Sequence, residues 1–454
     1  MNLIEAKIHF VGIGGIGMSG IAELLANMGC HVTGSDQSVN AQVERLKAMG
    51  VEIHQGHKSS HVPTQCDVLV YSSAVKPQNP EIQEAKRRQI PIIQRAEMLA
   101  ELMSLKRGIA IGGSHGKTTT TSMTAAMLLA AKLDPTIVIG GRLDLIKSTA
   151  ALGKGEWLVA EADESDGSFL RLQPEISVIT NIDNDHLDHY KNFENLQKAF
   201  SEFAHKVPFY GMAILCVDDE YVAKLAHTFD KRMMTYGFSK EAKLRAHSVK
   251  VQTTSQTFEV DLNGNNLGSI TLHVPGAHNV LNALAGIAVG LELKLDFQTI
   301  SNGLAQYKGV DRRLQYKGEY NGAIVIDDYG HHPTEVRATI QALKSAYSKH
   351  RLVVAFQPHR YSRTESCWQQ FLECFEGADV VGLLDIYAAG ETAIAEISSQ
   401  RLAQELSKKQ KNIFYWGEQQ NVVKELSKLL KSGDVLVTLG AGDIYKLSSE
   451  LILK

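Results

Sequence analysis

A glycine loop between a strand and a helix constrains the fold of this chain more than any other feature. The apolar run Ile109–Ile111 leads into GGSHGKTT at residues 112–119, and a long helical pattern follows. Glycines there let backbone N–H groups turn towards a phosphate, and the N-terminus of the following helix adds positive potential. The general phosphate-loop pattern has a glycine where this chain has Ile111, so the loop departs from that pattern at one position.

The same loop supplies the side chains that a nucleoside triphosphate requires. Lys117 is placed to reach the β- and γ-phosphates, and the Thr118 hydroxyl is placed to bind Mg²⁺. A glycine-rich turn before a core helix is the alternative interpretation. Gly-Lys-Thr directly between a strand and a helix favours the phosphate loop.

Acidic residues follow two further apolar strands. The two stretches are EADES at 161–165 and NIDNDHLD at 181–188. Because doubly wound sheets bind ligands at the carboxyl ends of their strands, Glu164 is a candidate ligand of Mg²⁺. A solvated loop with helix caps is the alternative for the first stretch. In the second stretch, chemistry alone favours Asp183 or Asp185 over His186 as a Mg²⁺ ligand, and the spacing leaves this open.

A second glycine fingerprint lies near the N-terminus. GIGGIG at 12–17 follows a strand and opens a helix, and Asp36 lies about twenty residues further on, where a ribose contact is expected. Ser72 and Ser73, at the end of another strand, would add hydroxyl and backbone contacts. This loop geometry serves any pyrophosphate, including that of a nucleotide-sugar, so the motif indicates diphosphate binding without identifying the nucleotide.

Two polar clusters follow strands in the last third of the chain, DDYGHHP at 327–333 and QPHRYSRT at 357–364. Arginine binds carboxylates through paired hydrogen bonds. Tyr329, His331, His359, Arg360 and Arg363 are together suited to hold a small zwitterion. The adjacent histidines could instead hold a metal, but helix capping and packing explain them better.

Apolar runs and helical stretches alternate along the whole chain, which indicates parallel sheets covered by helices. A length of 454 residues suggests about three domains. We predict an α/β protein with three mainly parallel doubly wound sheets: a Rossmann-like domain at 1–105, a phosphate-loop ATPase domain at 106–309 and a Rossmann-like domain at 310–454. The segment Arg245–Val274 alternates polar and apolar residues around Asn263-Gly264, which predicts an antiparallel appendage on the second domain.

Composition excludes several classes of partner. A net charge of -3 gives no basic field for a nucleic acid. The five cysteines are scattered, which fits a reducing compartment better than disulfides or a zinc site. The N-terminus lacks the layout of a signal peptide, and the most apolar stretches are too short or interrupted to span a bilayer. We therefore expect a cytoplasmic protein with no membrane partner.

Taken in order, the motifs resemble those of the Mur ligases of bacterial cell-wall synthesis. The matching motifs are GSHGKTTT, EADESDGSF, NIDNDHLDHY, PGAHNVLNA, DDYGHHPTE, QPHRYSRT and DIYAAGE, after the first glycine fingerprint. The resemblance runs essentially end to end. It implies an ATP-dependent, ADP-forming ligase that requires Mg²⁺ and joins L-alanine to the lactyl carboxylate of UDP-N-acetylmuramate through an acyl phosphate, in peptidoglycan precursor synthesis.

The resemblance also implies roles for individual residues. ATP would be bound by Gly113, Ser114, His115, Gly116, Lys117, Thr118 and Thr119, with His278, Asn279 and Asn282 on the adenine side and Arg313 near the phosphates. Mg²⁺ would be held by Thr118, Glu164 and His186. The UDP-sugar would be bound by Gly14, Gly15, Ile16, Asp36, Ser72 and Ser73. L-alanine would be bound by Tyr329, His331, His359, Arg360 and Arg363, with Lys117, His331 and His359 as the catalytic residues. The carbamoylated lysine of some relatives has no predicted equivalent here, and Lys198 is the nearest candidate.

Several alternatives stay open at this point. A ligase that attaches a preformed peptide to the same sugar nucleotide, in murein recycling, shares most motifs, but QPHRYSR argues against it. A folate polyglutamate ligase would not need the N-terminal fingerprint. A dinucleotide-dependent oxidoreductase or a nucleotide-binding regulator could use that fingerprint, but neither explains Gly-Lys-Thr together with the arginines of the third domain. The sequence does not predict the oligomeric state.

Overall fold

The computed structural model describes residues 5–143, 145–146 and 148–453, with the backbone alone at Asp188. Residues 1–4, at the start of the predicted first domain, lie outside the described residues. Three mainly parallel α/β sheets follow one another along the chain, which confirms the predicted fold class. The exact domain boundaries stay a prediction.

By its internal contacts the chain divides into two compact units. The first runs to His247 and includes Glu259–Ile270 and Leu281–Tyr307. The second comprises Ser248–Phe258, Thr271–Val280 and Lys308–Lys454. The first two sheets thus lie mainly in one unit and the third sheet lies in the other.

The first sheet has five parallel strands in the order β3-β2-β1-β4-β5. Its elements are β1 (Lys7–Val11), α1 (Ile16–Asn27), β2 (His31–Asp36), α2 (Ala41–Ala48), β3 (Glu52–Gln55), β4 (Val68–Tyr71), α3 (Pro80–Arg87), β5 (Ile92–Gln94) and α4 (Arg95–Ser104). The strand order runs in opposite directions on the two sides of β1. The carboxyl end of β1 is therefore a topological switch point, where such sheets bind ligands.

The second sheet has ten strands in the order β15-β14-β13-β12-β11-β10-β6-β9-β7-β8. Its strands are β6 (Arg107–Gly112), β7 (Thr136–Leu143), β8 (Ser148–Ala151), β9 (Trp157–Glu161), β10 (Ile176–Ile179), β11 (Met212–Cys216), β12 (Met233–Gly237), β13 (Leu244–Val251), β14 (Gln256–Leu262) and β15 (Asn265–Leu272). Its helices are α5 (Lys117–Ala130), α6 (Leu187–Tyr190), α7 (Phe193–Ala204), α8 (Glu220–Thr228), α9 (Ala277–Glu292) and α10 (Phe297–Gln306). Strands β6, β9, β10 and β11 are almost entirely buried, which explains why they read as continuous apolar runs.

The predicted appendage is a direct continuation of this sheet. Its first strand, β13, pairs parallel with β12, with Tyr236 opposite Leu244, so it does not begin as an antiparallel strand. The predicted turn between β14 and β15 is present. Asn263 and Gly264 have φ values of +51° and +81°, the left-handed conformation that a tight type I′ turn requires at both positions.

The third sheet has six strands in the order β16-β17-β21-β18-β19-β20. Its strands are β16 (Gln315–Tyr320), β17 (Ala323–Asp328), β18 (Leu352–Phe356), β19 (Val380–Leu384), β20 (Ile413–Gly417) and β21 (Val435–Leu439). Its helices are α11 (Pro333–Ala346), α12 (Tyr361–Ser366), α13 (Trp368–Phe371), α14 (Ser399–Leu406), α15 (Gln419–Leu429) and α16 (Tyr445–Ile452). Edge strand β16 is antiparallel to β17, and the other pairs are parallel.

In the part of the chain that the structure describes, no helix combines the length and the apolar character needed to cross a membrane.

Candidate active site

The phosphate loop lies between β6 and α5, as predicted. Two of its glycines have left-handed φ values, +136° at Gly113 and +84° at Gly116. A Cβ atom at Gly113 would lie 1.9 Å from Oγ1 of Thr180, and one at Gly116 would lie 2.5 Å from Oδ1 of Asn282. Both positions therefore require glycine, for backbone conformation and for space.

Hydrogen bonds to the end of β10 hold the loop open. The Ser114 N–H donates to the Asn181 carbonyl at 3.0 Å, and the His115 N–H donates to the Asn181 side-chain oxygen at 2.9 Å. The Thr180 hydroxyl donates to the His115 carbonyl at 2.6 Å. Nε2 of His115 lies 2.8 Å from Oδ2 of Asp183. Asp183, one of the acidic residues that chemistry alone favoured as a metal ligand, thus contacts the loop directly.

The half-buried Lys117 and the buried Glu164 form an ion pair at the mouth of the loop. The Lys117 ammonium lies 2.8 Å and 2.7 Å from the two oxygens of Glu164, and it also donates to the Gly113 carbonyl at 2.7 Å. Burial disfavours the lysine cation, but the charges of Glu164 and Asp163 outweigh it and raise the pKa of Lys117. Burial raises the pKa of Glu164 to about 7, although Lys117 opposes that rise. The lysine therefore remains a cation inside the site.

Of the predicted Mg²⁺ ligands, His186 lies close to Glu164. Nε2 of His186 lies 3.6 Å from Oε1 of Glu164, and His186 adopts a left-handed φ of +57° that directs the turn after β10. Oε2 of Glu164 is fully buried and has the Lys117 ammonium as its ion-pair partner. Thr118 is the second residue of α5 and is half-buried. A buried carboxylate with an imidazole beside it offers oxygen and nitrogen ligands to a divalent cation.

The residues assigned to the adenine side, and Arg313 assigned near the phosphates, fall in different compact units. Asn282 lies beside the phosphate loop in the first unit, and its side-chain oxygen accepts a hydrogen bond from the Thr120 hydroxyl at 3.1 Å. His278, Asn279 and Arg313 belong to the second unit. Burial, followed by the charge of Arg313, lowers the pKa of His278 to about 4, so its imidazole is neutral at physiological pH.

A cavity of about 830 Å³ lies at the carboxyl end of β1, at the switch point of the first sheet. Its lining includes Gly12, Gly14, Gly15, Asp36, Asn40, His57 and Ser72. This volume lies in the range of small-molecule sites. Ile16 and Ser73 are not in the lining, and both are exposed. The structure thus brings four of the six predicted residues to one cavity.

Asp36 shapes the glycine loop as well as lining the cavity. Its Oδ2 accepts a hydrogen bond from the Gly14 N–H at 2.8 Å, and its Oδ1 accepts one from the Ser38 N–H at 3.0 Å. Asn40 donates to the Gly14 carbonyl at 2.9 Å. The aspartate expected to contact a ribose therefore also fixes the backbone that would contact a pyrophosphate.

The first two domains are linked close to the acidic loop. Arg95, the first residue of α4, places Nη2 3.1 Å from Oδ2 of Asp163. Asp163 is adjacent to Glu164, so this ion pair connects the first domain to the loop that carries the partner of Lys117. The sequence carried no signal for this pair, because the two residues are far apart along the chain.

In the second unit, four aromatic rings stand in a row over the carboxyl ends of β17 and β18. Tyr329 and His331 are 5.3 Å apart between ring centroids, and His331 and His359 are 5.8 Å apart. Tyr387 stacks on His359 at 5.6 Å. Three of these residues were predicted to bind an amino acid. Tyr387 was not predicted to be a site residue. In the sequence it was indicated only by its position in DIYAAGE, one of the motifs that carry the family resemblance.

Two arginines flank this row. Arg363 donates to the His359 carbonyl at 3.3 Å, and the Arg360 Nε lies 4.0 Å from Oε1 of Glu391. Burial and these two arginines lower the pKa of His359 to about 4, so the ring is neutral at pH 7. The cluster therefore combines two cations with a neutral imidazole, a combination suited to the carboxylate and the amine of an amino acid.

Residues that the sequence analysis did not single out support the same cluster. The Arg312 guanidinium lies over the rings of Tyr329 and Tyr445 at 4.9 Å and 4.6 Å. Asp328 is buried and accepts hydrogen bonds from the Leu314 and Gly330 N–H groups. Burial raises the pKa of Asp328 to about 6. In the sequence, Arg312 and Asp328 were indicated only by their positions next to the predicted site residues Arg313 and Tyr329.

His332 is a structural residue, as the capping interpretation of the histidine pair predicted. It is buried and caps α11 through a capping box with Glu335. Its Nε2 lies 3.6 Å from the Cys367 sulfur. His331, the other member of the pair, lies in the aromatic row.

Comparisons with known proteins bear on these sites. Three family models match: "Mur ligase family, catalytic domain" at 7–107, "Mur ligase middle domain" at 111–290 and "Mur ligase, glutamate ligase domain" at 312–442. The UDP-N-acetylmuramate–L-alanine ligase of Bdellovibrio bacteriovorus is 55% identical over 100% of this chain and 99% of its own length. The chain belongs to the Mur ligase family.

Solved structures of Mur ligases agree with this assignment. The UDP-N-acetylmuramate–alanine ligase of Thermotoga maritima is 30% identical and superposes with a TM-score of 0.84 over 98% of both chains. A murein peptide ligase of Psychrobacter arcticus, at 22% identity and a TM-score of 0.71, shares the fold. The comparisons favour the alanine-adding Mur ligase over the peptide-adding ligase and over an oxidoreductase.

Proposed function

We propose that this Mur ligase joins L-alanine to the lactyl carboxylate of UDP-N-acetylmuramate, with hydrolysis of ATP to ADP and phosphate. The observation that carries the proposal is the Lys117–Glu164 pair at a phosphate loop in a chain whose relatives are alanine-adding ligases. The nucleotide-sugar cavity and the aromatic row supply candidate sites for the two other substrates. Because the proposed ligase uses ATP and a soluble sugar nucleotide, we expect it to act in the cytoplasm.

The reaction proceeds in two steps. A carboxylate oxygen of the sugar nucleotide attacks the γ-phosphorus of ATP, the bond from that phosphorus to the β-γ bridging oxygen breaks, and ADP leaves. The amine nitrogen of L-alanine then attacks the acyl carbon, a proton leaves the nitrogen, and the C–O bond to phosphate breaks. The products are an amide, ADP and inorganic phosphate. Enzymes catalyse such transfers mainly by positioning the reactants and stabilising charge.

The residues of the phosphate loop serve the first step, the transfer of the γ-phosphoryl group. Backbone N–H groups at the start of α5, from Lys117 to Thr119, face the triphosphate, and the Lys117 side chain balances charge on the β- and γ-phosphates. Thr118, Glu164 and His186 would hold Mg²⁺, which supplies charge neutralisation on the phosphate oxygens when bound. In its absence the carboxylate of Glu164 holds Lys117 at the mouth of the loop.

The aromatic row and the arginines beside it serve the second step, the attack of L-alanine on the acyl phosphate. Arg360 and Arg363 hold the carboxylate of L-alanine, and Tyr329 shapes the pocket. His359 is neutral at pH 7 and, like His331 beside it, can accept the proton that the amine nitrogen loses as it attacks the acyl carbon. A short row of rings and arginines suits a small amino acid.

An ADP-release assay tests the function directly. Purified protein is supplied with ATP, Mg²⁺ and UDP-N-acetylmuramate, together with L-alanine, glycine, L-serine or a tripeptide. We expect L-alanine to give the highest kcat/KM and the tripeptide to give no product. Omission of Mg²⁺ should abolish turnover. The acyl phosphate is tested by labelling the lactyl carboxylate with ¹⁸O, because one label must then appear in the released phosphate; unlabelled phosphate would refute the mechanism.

A further inference from the structure

A fully buried carboxylate lies behind the nucleotide-sugar cavity, and no step of the proposed reaction uses it. Glu81 is the second residue of α3 and has no exposed surface. Its Oε2 accepts a hydrogen bond from the Ser35 hydroxyl at 2.8 Å and lies 2.7 Å from Nε2 of His9. Its Oε1 lies 2.9 Å from Nδ1 of His57. Burial of a carboxylate costs several kcal/mol unless it is paired in this way.

The partners of Glu81 include polar residues on one face of the two central strands β1 and β2. His9 in β1 lies opposite Thr33 in β2, and Nδ1 of His9 lies 2.8 Å from Oγ1 of Thr33. Ser35 lies two residues further along β2 and therefore on the same face. Apolar side chains would fill this face at no desolvation cost, so the stability of the sheet does not explain three polar ones.

The network determines which nitrogen of His57 carries a proton. Burial alone would raise the pKa of Glu81, but hydrogen bonds from His9, Ser35 and His57 hold it below its usual range. An ionised carboxylate only accepts hydrogen bonds, so Nδ1 of His57 is the donor. A histidine fixed through Nδ1 presents Nε2 to its other neighbours.

The ring of His57 forms part of the cavity wall, together with Gly14, Asp36 and Asn40. It lies two residues beyond the end of β3. In a doubly wound sheet with the pyrophosphate on the loop after β1, the nucleoside lies over β2 and the strand beside it. The strand order places β3 beside β2. His57 is therefore on the nucleoside side of the cavity.

We propose that Glu81 is a positioning residue of the nucleotide-sugar site, which orients His57 so that Nε2 hydrogen-bonds the nucleoside half of the ligand. The inference rests on the proposed function, because it assumes that a UDP-sugar occupies this cavity. His61 closes the outer side of the network, with Nδ1 3.9 Å from Oε1 of Glu81 and its ring stacked on His54 at 4.4 Å.

A double-mutant cycle on the full chain tests the proposal. Binding of UDP and of UDP-N-acetylmuramate is measured by calorimetry for the wild type, Glu81→Gln, His57→Ala and the double variant. We expect Glu81→Gln to weaken both ligands by about tenfold, which is the loss of one hydrogen bond to a charged or oriented group. Because Glu81 acts through His57, the double variant should bind no more weakly than His57→Ala alone. The KM values for ATP and L-alanine should not change.

Two further variants keep the test decisive. Glu84→Gln, on the same helix but paired with exposed Arg87, is the matched control and should bind like the wild type. If Glu81→Gln does not fold, Ser35→Ala removes a smaller part of the network and should weaken UDP about threefold. Additive losses in the double variant, equal losses for all three substrates, or wild-type affinity in Glu81→Gln would overturn the inference. A wild-type protein that does not bind UDP would instead refute the proposed function.

Discussion

The ammonium of Lys117 lies 2.8 Å from Oε1 of Glu164, although the two residues are 47 positions apart in the chain. The pair joins the start of α5 to the loop after β9, and the parallel pairing of β6 and β9 brings these two parts of the chain together. It combines the predicted phosphate lysine with the predicted metal ligand. Each residue stabilises the charged form of the other until a substrate arrives.

Replacement of Lys117 by methionine should abolish ligation while the fold is kept. We expect kcat/KM to fall by about a thousandfold, the typical loss when one stabilising donor is removed from a transition state. Lys224→Met, which disrupts an exposed lysine–glutamate pair on α8, is the control and should be fully active. Substantial turnover by Lys117→Met would contradict the phosphate assignment.

The same variant should show a characteristic dependence of stability on pH. Burial already raises the pKa of Glu164 to about 7 in the wild type, and the variant lacks the opposing charge of Lys117. The folded variant therefore keeps the proton to a higher pH than the folded wild type, so its free energy of unfolding should fall, relative to the wild type, as the pH rises above about 7. Urea denaturation at a series of pH values measures this. A constant difference between the two proteins would be inconsistent with a buried unpaired Glu164.

Substitution by alanine should have opposite effects at two glycines that lie next to α5 or its N-terminus. A Cβ at Gly116 would lie 2.5 Å from Asn282, at a left-handed φ, so Gly116→Ala should raise the KM for ATP by at least about tenfold. A Cβ at Gly286, inside α9, meets nothing closer than 3.5 Å, so Gly286→Ala should stabilise the helix by about 1 kcal/mol and keep activity. Steady-state kinetics and thermal melts separate the two. Similar behaviour of both variants would argue against the loop geometry.

Replacement of Arg360 by alanine should affect one substrate selectively. Its guanidinium is half exposed beside the aromatic row, where the carboxylate of L-alanine is proposed to bind. We expect the KM for L-alanine to rise about tenfold or more, with much smaller changes for ATP and UDP-N-acetylmuramate. Arg401→Ala on the surface of α14 is the control. Equal changes in all three KM values would be evidence against the amino-acid pocket.

The lowered pKa of His278 should make the protein less stable in mild acid. Burial lowers the pKa of His278 to about 4, whereas an unfolded histidine has a pKa of about 6.5. The unfolded state therefore binds the extra proton first, and stability is lost as the pH falls from about 6.5 towards 4. His278→Gln should show a smaller loss over that range, and His31→Gln, at an exposed position, should not. The midpoint of urea denaturation as a function of pH distinguishes these outcomes.

Some strands and loops can be predicted from the pattern of their own residues. Strands β6, β9, β10 and β18 coincide with apolar runs in the sequence, because central parallel strands are buried on both faces. The glycine loops were also predictable, since left-handed φ values and close backbone approach restrict those positions to glycine. Edge strands β3 and β16 were missed. They are half exposed and polar, so their identity as strands comes from pairing with a neighbour.

The sequence by itself determined three α/β sheets, a phosphate loop and the residue types that end on the edges of those sheets. Only the tertiary structure decided which side chains meet. Glu81 is 72 residues from His9, and no periodicity or motif links them. Local patterns depend on hydrogen bonding and burial within a few residues, whereas such contacts depend on strand order and on packing of elements distant in the chain. For this reason the contacts of the buried Glu81 carboxylate behind the nucleotide-sugar cavity could be identified only from the tertiary structure.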